Sequence, residues 1–256
     1  MGSWYDSGFG GISKEEQRLA NMSGPNRVWM PPGTTREVIF LDSEPVAIYE
    51  HNAKINNSWK NWFTCLQGIE DTCPACEILG AQSRYYIGYF TVVDASKWTD
   101  KKGNDHQFEL NLLPAKIKSF KKFRRKNQER IDAGGTGLAG CLYRLARDSS
   151  DDPSIGSEAE FVRETDLVKL FPLVLYKGKK LSELFDKAEA SGDALTALKR
   201  LFQLEFDDQN KLLRQLVPFN YMEVLKPLPQ KDMRLALQGA AAPGSDGAVA
   251  DDKVPF

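Results

Sequence analysis

The chain contains 256 residues, of which 41% are hydrophobic and 27% are charged, proportions that are ordinary for a soluble globular protein. This length allows one large domain, or one domain with a smaller helical appendage. No apolar run approaches the roughly 18 residues of a membrane span, and the N-terminal region lacks the basic and apolar parts of a signal peptide. We therefore expect a cytoplasmic protein whose four cysteines are thiols or metal ligands and not disulfides.

The net charge of −1 hides a segregation of charge along the chain. Residues 101–147 carry a net charge of +8, whereas residues 1–100 carry −4 and residues 148–256 carry −5. A nearly neutral protein with one strongly basic block can bind a polyanion locally. A solvated, lysine-rich helix face accounts for the same charges, so charge alone leaves both interpretations open.

The predicted elements favour an α+β fold. Residues 1–35 are rich in Gly, Ser and Pro and predict a flexible N-terminal arm, in which Ser13 and Glu16 have capping-box spacing for a short helix. Strand patterns follow in "EVIFLD", "VAIYEH", "RYYIGYFTVVD" and "HQFELNLLP", and "PAKIKSFKKFRRKNQER" predicts a helix. Further short strands are expected at "LAGCLYRLAR", "EAEFVRE" and "FPLVLY". Short strands around one helix suggest an oligonucleotide-binding β-barrel (OB-fold) as the core, residues 36–178.

The C-terminal part of the chain has a different pattern. In residues 179–230 apolar side chains recur at spacings of three and four, which predicts two amphipathic helices broken at Ser191 and Gly192. Residues 231–256 are rich in Ala, Gly, Pro and Asp and predict a disordered acidic tail.

Three of the four cysteines and one of the two histidines are concentrated in one short stretch, with the spacing His51-x13-Cys65-x7-Cys73-x2-Cys76. Two cysteines separated by two residues can direct both sulfurs to one ion, and two further ligands complete a tetrahedron. Thiolates with one imidazole favour Zn²⁺ over Mg²⁺ or Ca²⁺. Four protein ligands leave no open position, so we expect one structural Zn²⁺ in a subdomain of about residues 50–80.

Two other interpretations of the cysteines stay open. The sequence "CPAC" resembles a glutaredoxin-type redox site, and buried cysteines can be inert. His106 is a spare candidate for the fourth ligand, and Cys141 lies in an apolar strand pattern typical of a core residue. No phosphate-binding loop, Ser-His-Asp order or Rossmann glycine pattern occurs, so we do not expect an enzyme.

These features together resemble the T-even-type phage single-stranded DNA-binding (helix-destabilising) proteins. The similarity covers roughly residues 36–130 and is carried by "EVIFLD", "VAIYEHN", "WFTC", "TCPAC", "YYIGYFTVVD" and "FKKFRRK". It implies an OB-fold with an inserted zinc subdomain, ligands at His51, Cys65, Cys73 and Cys76, and single-stranded DNA in a basic, aromatic-lined cleft. The implied function is to coat and protect single strands in phage DNA replication, recombination and repair, in the host cytoplasm. The family's N-terminal basic motif is replaced by "SKEEQRLA", which puts cooperative self-association on DNA in doubt.

Binding of single strands without regard to sequence requires cations for phosphates and flat rings for bases. On the strand of residues 85–93, alternate side chains share a face; the resemblance favours Tyr86 in the cleft, with Tyr85 or Tyr89 as the alternative. In the basic helix we expect Ile117, Phe120 and Phe123 to face inward. The full set of candidate DNA contacts is Lys54, Trp59, Lys60, Trp62, Tyr85, Tyr86, Tyr89, Trp98, Lys121, Lys122, Arg124 and Arg125.

The sequence "GAVADDKVPF" resembles the C-terminal tip of bacterial single-stranded DNA-binding proteins. That resemblance implies docking of replication or recombination proteins, here through Asp251, Asp252, Val254, Pro255 and Phe256. The alternative function is that of a single-stranded RNA-binding or transcription-associated zinc protein, because stacking clefts discriminate poorly between DNA and RNA.

Overall fold

The computed structural model describes residues 24–55, 58–99, 103, 105–238 and 240. The strands are β1 (Thr34–Phe40), β2 (Val46–Ile55), β3 (Ser58–Thr64), β4 (Arg84–Asp94), β5 (Trp98–Thr99), β6 (Asp105–His106), β7 (Glu109–Lys116), β8 (Cys141–Arg147), β9 (Glu158–Glu164), β10 (Leu175–Tyr176) and β11 (Lys179–Lys180). The α-helices are α1 (Pro74–Leu79), α2 (Ile117–Asp132), α3 (Leu167–Leu170), α4 (Leu181–Ala190), α5 (Gly192–Leu201), α6 (Tyr221–Val224) and α7 (Gln230–Ala236). Two 3₁₀ turns cover Ala81–Ser83 and Phe171–Leu173.

Strand β4 is the centre of a large, mostly antiparallel sheet. One edge of β4 pairs with β7, and the other edge is shared between β2 at its start and β1 at its end. Strands β8 and β9 extend the sheet beyond β1, and β3 extends it beyond β2. The α+β class is therefore confirmed. Within the described residues the pairings trace a path from β11 to β9, with β2 and β3 branching from β4, so the barrel stays a prediction.

The sheet is buried on both faces, which explains why β4 is an almost continuous apolar run. On one face Ile87, Tyr89 and Val93 pack against the C-terminal helices. On the other face Phe90 and Val92 pack against α2 and the segment that carries Val28 and Met30. A third, smaller apolar cluster surrounds the cysteines.

The basic helix starts later than its sequence indicated. Strand β7 continues through Pro114 to Lys116, so α2 begins at Ile117. Phe123 is buried and Phe120 packs beside it, but Ile117 is 50% exposed. The prediction that Ile117 faces inward is therefore wrong, because the first residue of the helix lies at the corner where the strand ends.

Two predicted domain boundaries also need correction. Residues 1–23 lie outside the described part of the chain, but residues 24–35 do not belong to an arm: Val28 and Met30 are buried, and the Val28 amide donates to Leu112 O at 2.8 Å. The tail was predicted to begin at 231, whereas Gln230–Ala236 is a helix with Met233 fully buried.

The two amphipathic helices end and begin where the sequence predicted. Helix α4 ends at Ala190, Ser191 is extended, and α5 begins at Gly192. Both helices pack into the same apolar cluster as β4 and are not a separate appendage. Among the described helices, none combines the length and the apolarity needed to cross a membrane.

Candidate functional site

Four side chains converge at the open end of the β2–β3 hairpin, away from its turn. The ligand atoms of His51, Cys65, Cys73 and Cys76 all lie within 4.8 Å of one another. The Cys65 sulfur is 3.9 Å from that of Cys73 and 3.7 Å from that of Cys76, and His51 Nε2 is 3.8 Å from Cys73 Sγ and 3.4 Å from Cys76 Sγ.

These separations can be compared with a metal tetrahedron. Zinc–sulfur bonds of about 2.3 Å and zinc–nitrogen bonds of about 2.0 Å place tetrahedral ligands about 3.8 Å apart between sulfurs and about 3.5 Å apart between sulfur and nitrogen. The four separations given above match this spacing, and no two of the ligand atoms are more than 4.8 Å apart, so the cluster could hold a metal ion. Their chemistry, three sulfurs and one imidazole, is that of a zinc site.

Local folding places each ligand. His51 lies on β2 opposite Phe63 of β3, and Cys65 follows the end of β3. Cys73 is the N-cap of α1, with Pro74 as the first helical residue, and Cys76 is one turn further along. The Cys73 sulfur accepts a hydrogen bond from the backbone amide of Leu66, at 3.4 Å.

The orientation of His51 is fixed by a hydrogen bond from its other ring nitrogen. Ser83 Oγ donates its only proton to Gly80 O, at 2.7 Å. It must therefore accept the hydrogen bond that joins it to His51 Nδ1, also at 2.7 Å. His51 therefore carries its proton on Nδ1 and directs the Nε2 lone pair toward the sulfurs. This arrangement is the usual support for a metal-binding histidine.

Burial changes the protonation of the cluster. It lowers the pKa of His51 to about 4, with a further contribution from the charge of Arg84, so the ring is neutral. It raises the pKa of Cys65 and Cys76. Burial also acts to raise the pKa of Cys73, but the surrounding backbone amides, that of Leu66 among them, bring it below its usual value. Because ligands must be deprotonated, metal binding would release protons here.

The structure brings together the four predicted ligands and leaves the spare candidate aside. His106 lies on β6 and stacks on Trp98, with the ring centroids 4.2 Å apart. Cys141 is buried in the core, as predicted. In the redox interpretation Cys65 and His51 have no role, whereas a metal site uses both of them.

A second surface lies on the same face of β2 and β4. Tyr49 and Tyr86 are direct cross-strand partners and are 46% and 39% exposed. Their rings meet edge to face, with centroids 5.1 Å apart, and the Arg84 guanidinium lies 3.6 Å from the centre of the Tyr49 ring. We call Tyr49, Tyr86 and Arg84 the aromatic row.

The aromatic row lies between the cysteine cluster and the basic helix. At one end Arg84 donates to Gln67 Oε1, at 2.8 Å, in the loop between Cys65 and Cys73. At the other end a Cβ on Gly88 would lie 3.3 Å from the Phe120 ring of α2, so the glycine lets the helix pack close to the sheet. The row is thus an exposed apolar and cationic strip bordered by two rigid elements.

Several of the residues predicted to contact DNA are buried or make contacts within the protein instead. Tyr85 and Tyr89 are 9% and 0% exposed, and their hydroxyls donate to Glu50 at 2.6 and 2.5 Å, so the alternative that they stack bases is wrong. Trp62 is partly buried and stacks against the Arg27 guanidinium at 4.1 Å. This contact lies on the Glu50 face, because Trp62 pairs with Asn52, and not on the face of the aromatic row.

The remaining predicted contacts are scattered. Trp59 and Lys54 are partly buried on the β2–β3 hairpin; Lys60 lies on β3, but its side chain is outside the described part of the chain. Trp98 is 40% exposed on the separate β5–β6 hairpin. The structure therefore does not bring the predicted aromatics into one cleft, and only Tyr86 is both exposed and adjacent to another exposed ring.

The four predicted cations lie on α2 with different surroundings. Lys121 and Arg124 are exposed, and neither has an ion-pair partner within the described residues. Lys122 is 4.0 Å from Glu158, and Arg125 is 3.4 Å from Glu129. Because these pairs are loose and border solvent, all four remain able to contact a polyanion.

Sequence reasoning missed Tyr49 and Arg84. The strand "VAIYEH" alternates so that Tyr49 and His51 share a face, which was the available signal. The tail residues Asp251, Asp252, Val254, Pro255 and Phe256 lie outside the described residues, and so does the capping box at Ser13.

No protein-family model matches the chain, and no curated protein matches its sequence.

Proposed function

We propose that the chain binds single-stranded DNA without regard to sequence. The observation that carries this proposal is the aromatic row: two exposed tyrosines in contact across neighbouring strands, with an arginine stacked on one of them. Contiguous exposed apolar surface often marks a binding site. A base stacked on such a ring contributes about 1–3 kcal/mol, and every base offers a flat face.

Helix α2 supplies the charge that the phosphates require. It follows Lys116 of β7, the partner of Ile87 on β4, and Lys121 and Arg124 are exposed. A strand whose bases stack on Tyr49 and Tyr86 would thus have cations beside its backbone. A duplex would not fit this arrangement, because its bases stack on one another and present no free face.

The cysteine cluster would act as a structural zinc site in this function. It holds the loop that carries Gln67, the partner of Arg84, and four protein ligands leave no position for a reacting water. We also propose that the sheet belongs to the OB-fold class and that the zinc subdomain of about residues 50–80 is inserted in it. Replication, recombination and repair of phage DNA are the processes in which such a coat protein would serve.

The experiment is a titration of fluorescent oligo-dT, with a duplex of equal length as competitor, at two salt concentrations. Tight, salt-sensitive binding to the single strand alone is expected. Tyr49→Leu with Tyr86→Leu should weaken it about tenfold or more, at about 1–3 kcal/mol for each ring. The matched control, Tyr49→Phe with Tyr86→Phe, keeps both rings and should bind as the parent does.

Two outcomes would change the assignment. Equal binding to the duplex would mean a general polyanion patch on α2. Base stacking on the aromatic row does not by itself distinguish RNA from DNA. Preference for an RNA oligomer of matched sequence would therefore favour the RNA-binding alternative.

A further inference from the structure

The C-terminal segment packs directly on the cysteine cluster. Residues 225–238, here called the C-terminal latch, contain α7 and follow the cluster by about 150 residues in sequence. Met233 is 0% exposed and Leu237 is 2% exposed, and both belong to the same apolar cluster as Cys65 and Cys73. The latch therefore packs against the apolar surroundings of the cysteine cluster.

Polar contacts tie the latch to the same loop. The Gln230 side-chain amide donates to Glu70 at 2.6 Å and accepts from Thr72 at 3.2 Å. Arg234 donates to Glu77 of α1 at 2.6 Å. Just before α7, Leu225 O accepts from Thr64 Oγ1 at 2.8 Å. Every one of these partners lies between Thr64 and Glu77, the stretch that contains the three cysteine ligands.

The middle of that stretch has little regular structure. Residues 67–72 are exposed; the amides of Ile69 and Glu70 both donate to Leu66 O, and Gln67 and Glu70 form an isolated bridge. A polar loop of this kind has no core with which to fix its conformation. The loop is therefore held by the ligands at its ends, and the surface on which Met233 packs depends on them.

We infer that the C-terminal latch is closed only while the His51–Cys65–Cys73–Cys76 site holds its metal, so that metal occupancy and latch closure are coupled. This inference rests on the zinc site proposed above and not on nucleic-acid binding. The coupling is reciprocal: whatever opens the latch must weaken metal binding by the same factor.

The test is hydrogen exchange of the full chain, read by mass spectrometry, with zinc content measured first. Removing zinc with a chelator should speed amide exchange in residues 230–237 by about tenfold or more. Residues 109–116 of β7 should keep their protection and report that the sheet stays folded. Unchanged exchange in 230–237 after verified metal loss would overturn the inference.

A variant tests the reciprocal direction without touching a ligand. Met233→Ala leaves the four ligands in place but removes the buried contact, and it should lower zinc affinity about tenfold in competition with a chromogenic chelator. Met222→Ala, at a methionine that is 83% exposed on the preceding helix, is the control and should retain zinc normally. If Met233→Ala holds zinc as tightly as the control, the coupling is absent.

The outcomes separate this inference from the proposals on which it builds. A chain that binds no zinc overturns both the metal site and the latch. A chain that binds zinc but keeps 230–237 protected after stripping overturns the latch alone. Oligo-dT binding is measured independently and bears on neither result.

Discussion

Arg27 and Glu50 form a two-point ion pair, with Arg27 Nη1 3.0 Å from Glu50 Oε1 and Nη2 2.8 Å from Oε2. Glu50 is 1% exposed and also accepts the hydroxyls of Tyr85 and Tyr89. Burial raises the pKa of both tyrosines well above its usual value, so the hydroxyls remain donors. The carboxylate thus has four donors, and the pair fastens the segment before β1 to β2 and β4.

Removing one partner of this ion pair should be costly. Arg27→Ala leaves a buried carboxylate without its cation, which is expected to lower the free energy of unfolding by about 3–5 kcal/mol. Urea denaturation measures the change. The control is Arg144→Ala, which removes a half-exposed arginine paired with Glu37 and Glu160 and should cost less than about 1 kcal/mol. Similar losses in the two variants would contradict the structural role of Arg27.

The pH dependence of stability should show the titration of Asp42. Its carboxylate accepts from the Thr91 amide at 2.5 Å and from the Tyr221 hydroxyl at 2.7 Å, yet burial outweighs these bonds and raises its pKa from 3.8 to about 6. Because the folded-state pKa is the higher one, the protonated form stabilises the fold below about pH 4. That contribution is lost as the pH rises through 6.

The measurement compares the parent with Asp42→Asn by urea denaturation at pH 4 and pH 8. Between pH 4 and pH 8 the free energy of unfolding of the parent should fall by up to about 3 kcal/mol relative to that of Asp42→Asn, because each unit of pKa shift corresponds to about 1.4 kcal/mol. A constant difference would show that the pKa of Asp42 is close to its ordinary value in the folded protein.

Neutralising the cations of α2 should reduce the salt dependence of single-strand binding. Changing Lys121, Lys122, Arg124 and Arg125 to Gln removes up to four phosphate contacts, each worth about 0.7 in the slope of log K against log salt concentration. The slope is obtained from oligo-dT titrations over a series of salt concentrations. Four exposed cations of the C-terminal half, Lys187, Lys199, Arg200 and Lys211, provide a control of equal charge change. An equal loss of slope in the control would remove α2 from the interface.

Substitution of a cysteine in the cluster should remove the metal. Purified protein is expected to contain one zinc per chain, and Cys73→Ser should lose it and unfold at a lower temperature. Cys141→Ser, at a buried cysteine outside the cluster, should keep its zinc. Zinc release measured with a chromogenic chelator, together with thermal melting, distinguishes the two. Full zinc content in Cys73→Ser would show that the metal lies elsewhere.

The features of the fold that depend on residues close together in the sequence could be predicted from it. The helix break at Ser191 depends on apolar spacing and one glycine, and the long β4 depends on aromatic and β-branched residues. The four candidate ligands could be chosen because few other residue types bind zinc and the spacing left few combinations. The predicted start of α2 was too early because proline is tolerated near the end of an edge strand as well as just before the first turn of a helix.

The sequence by itself determined which residues of β4 share a face and which four side chains form the cluster. Only the tertiary structure decided which face is exposed and where, because this depends on the elements that cover the sheet. The C-terminal helices and Arg27 bury Tyr85 and Tyr89, whereas α2 covers Phe90 and Tyr86 stays exposed. Met233 closes over the cysteines for the same reason. Contacts between residues far apart in sequence are not recorded in any local pattern, so they appear only when the chain is folded.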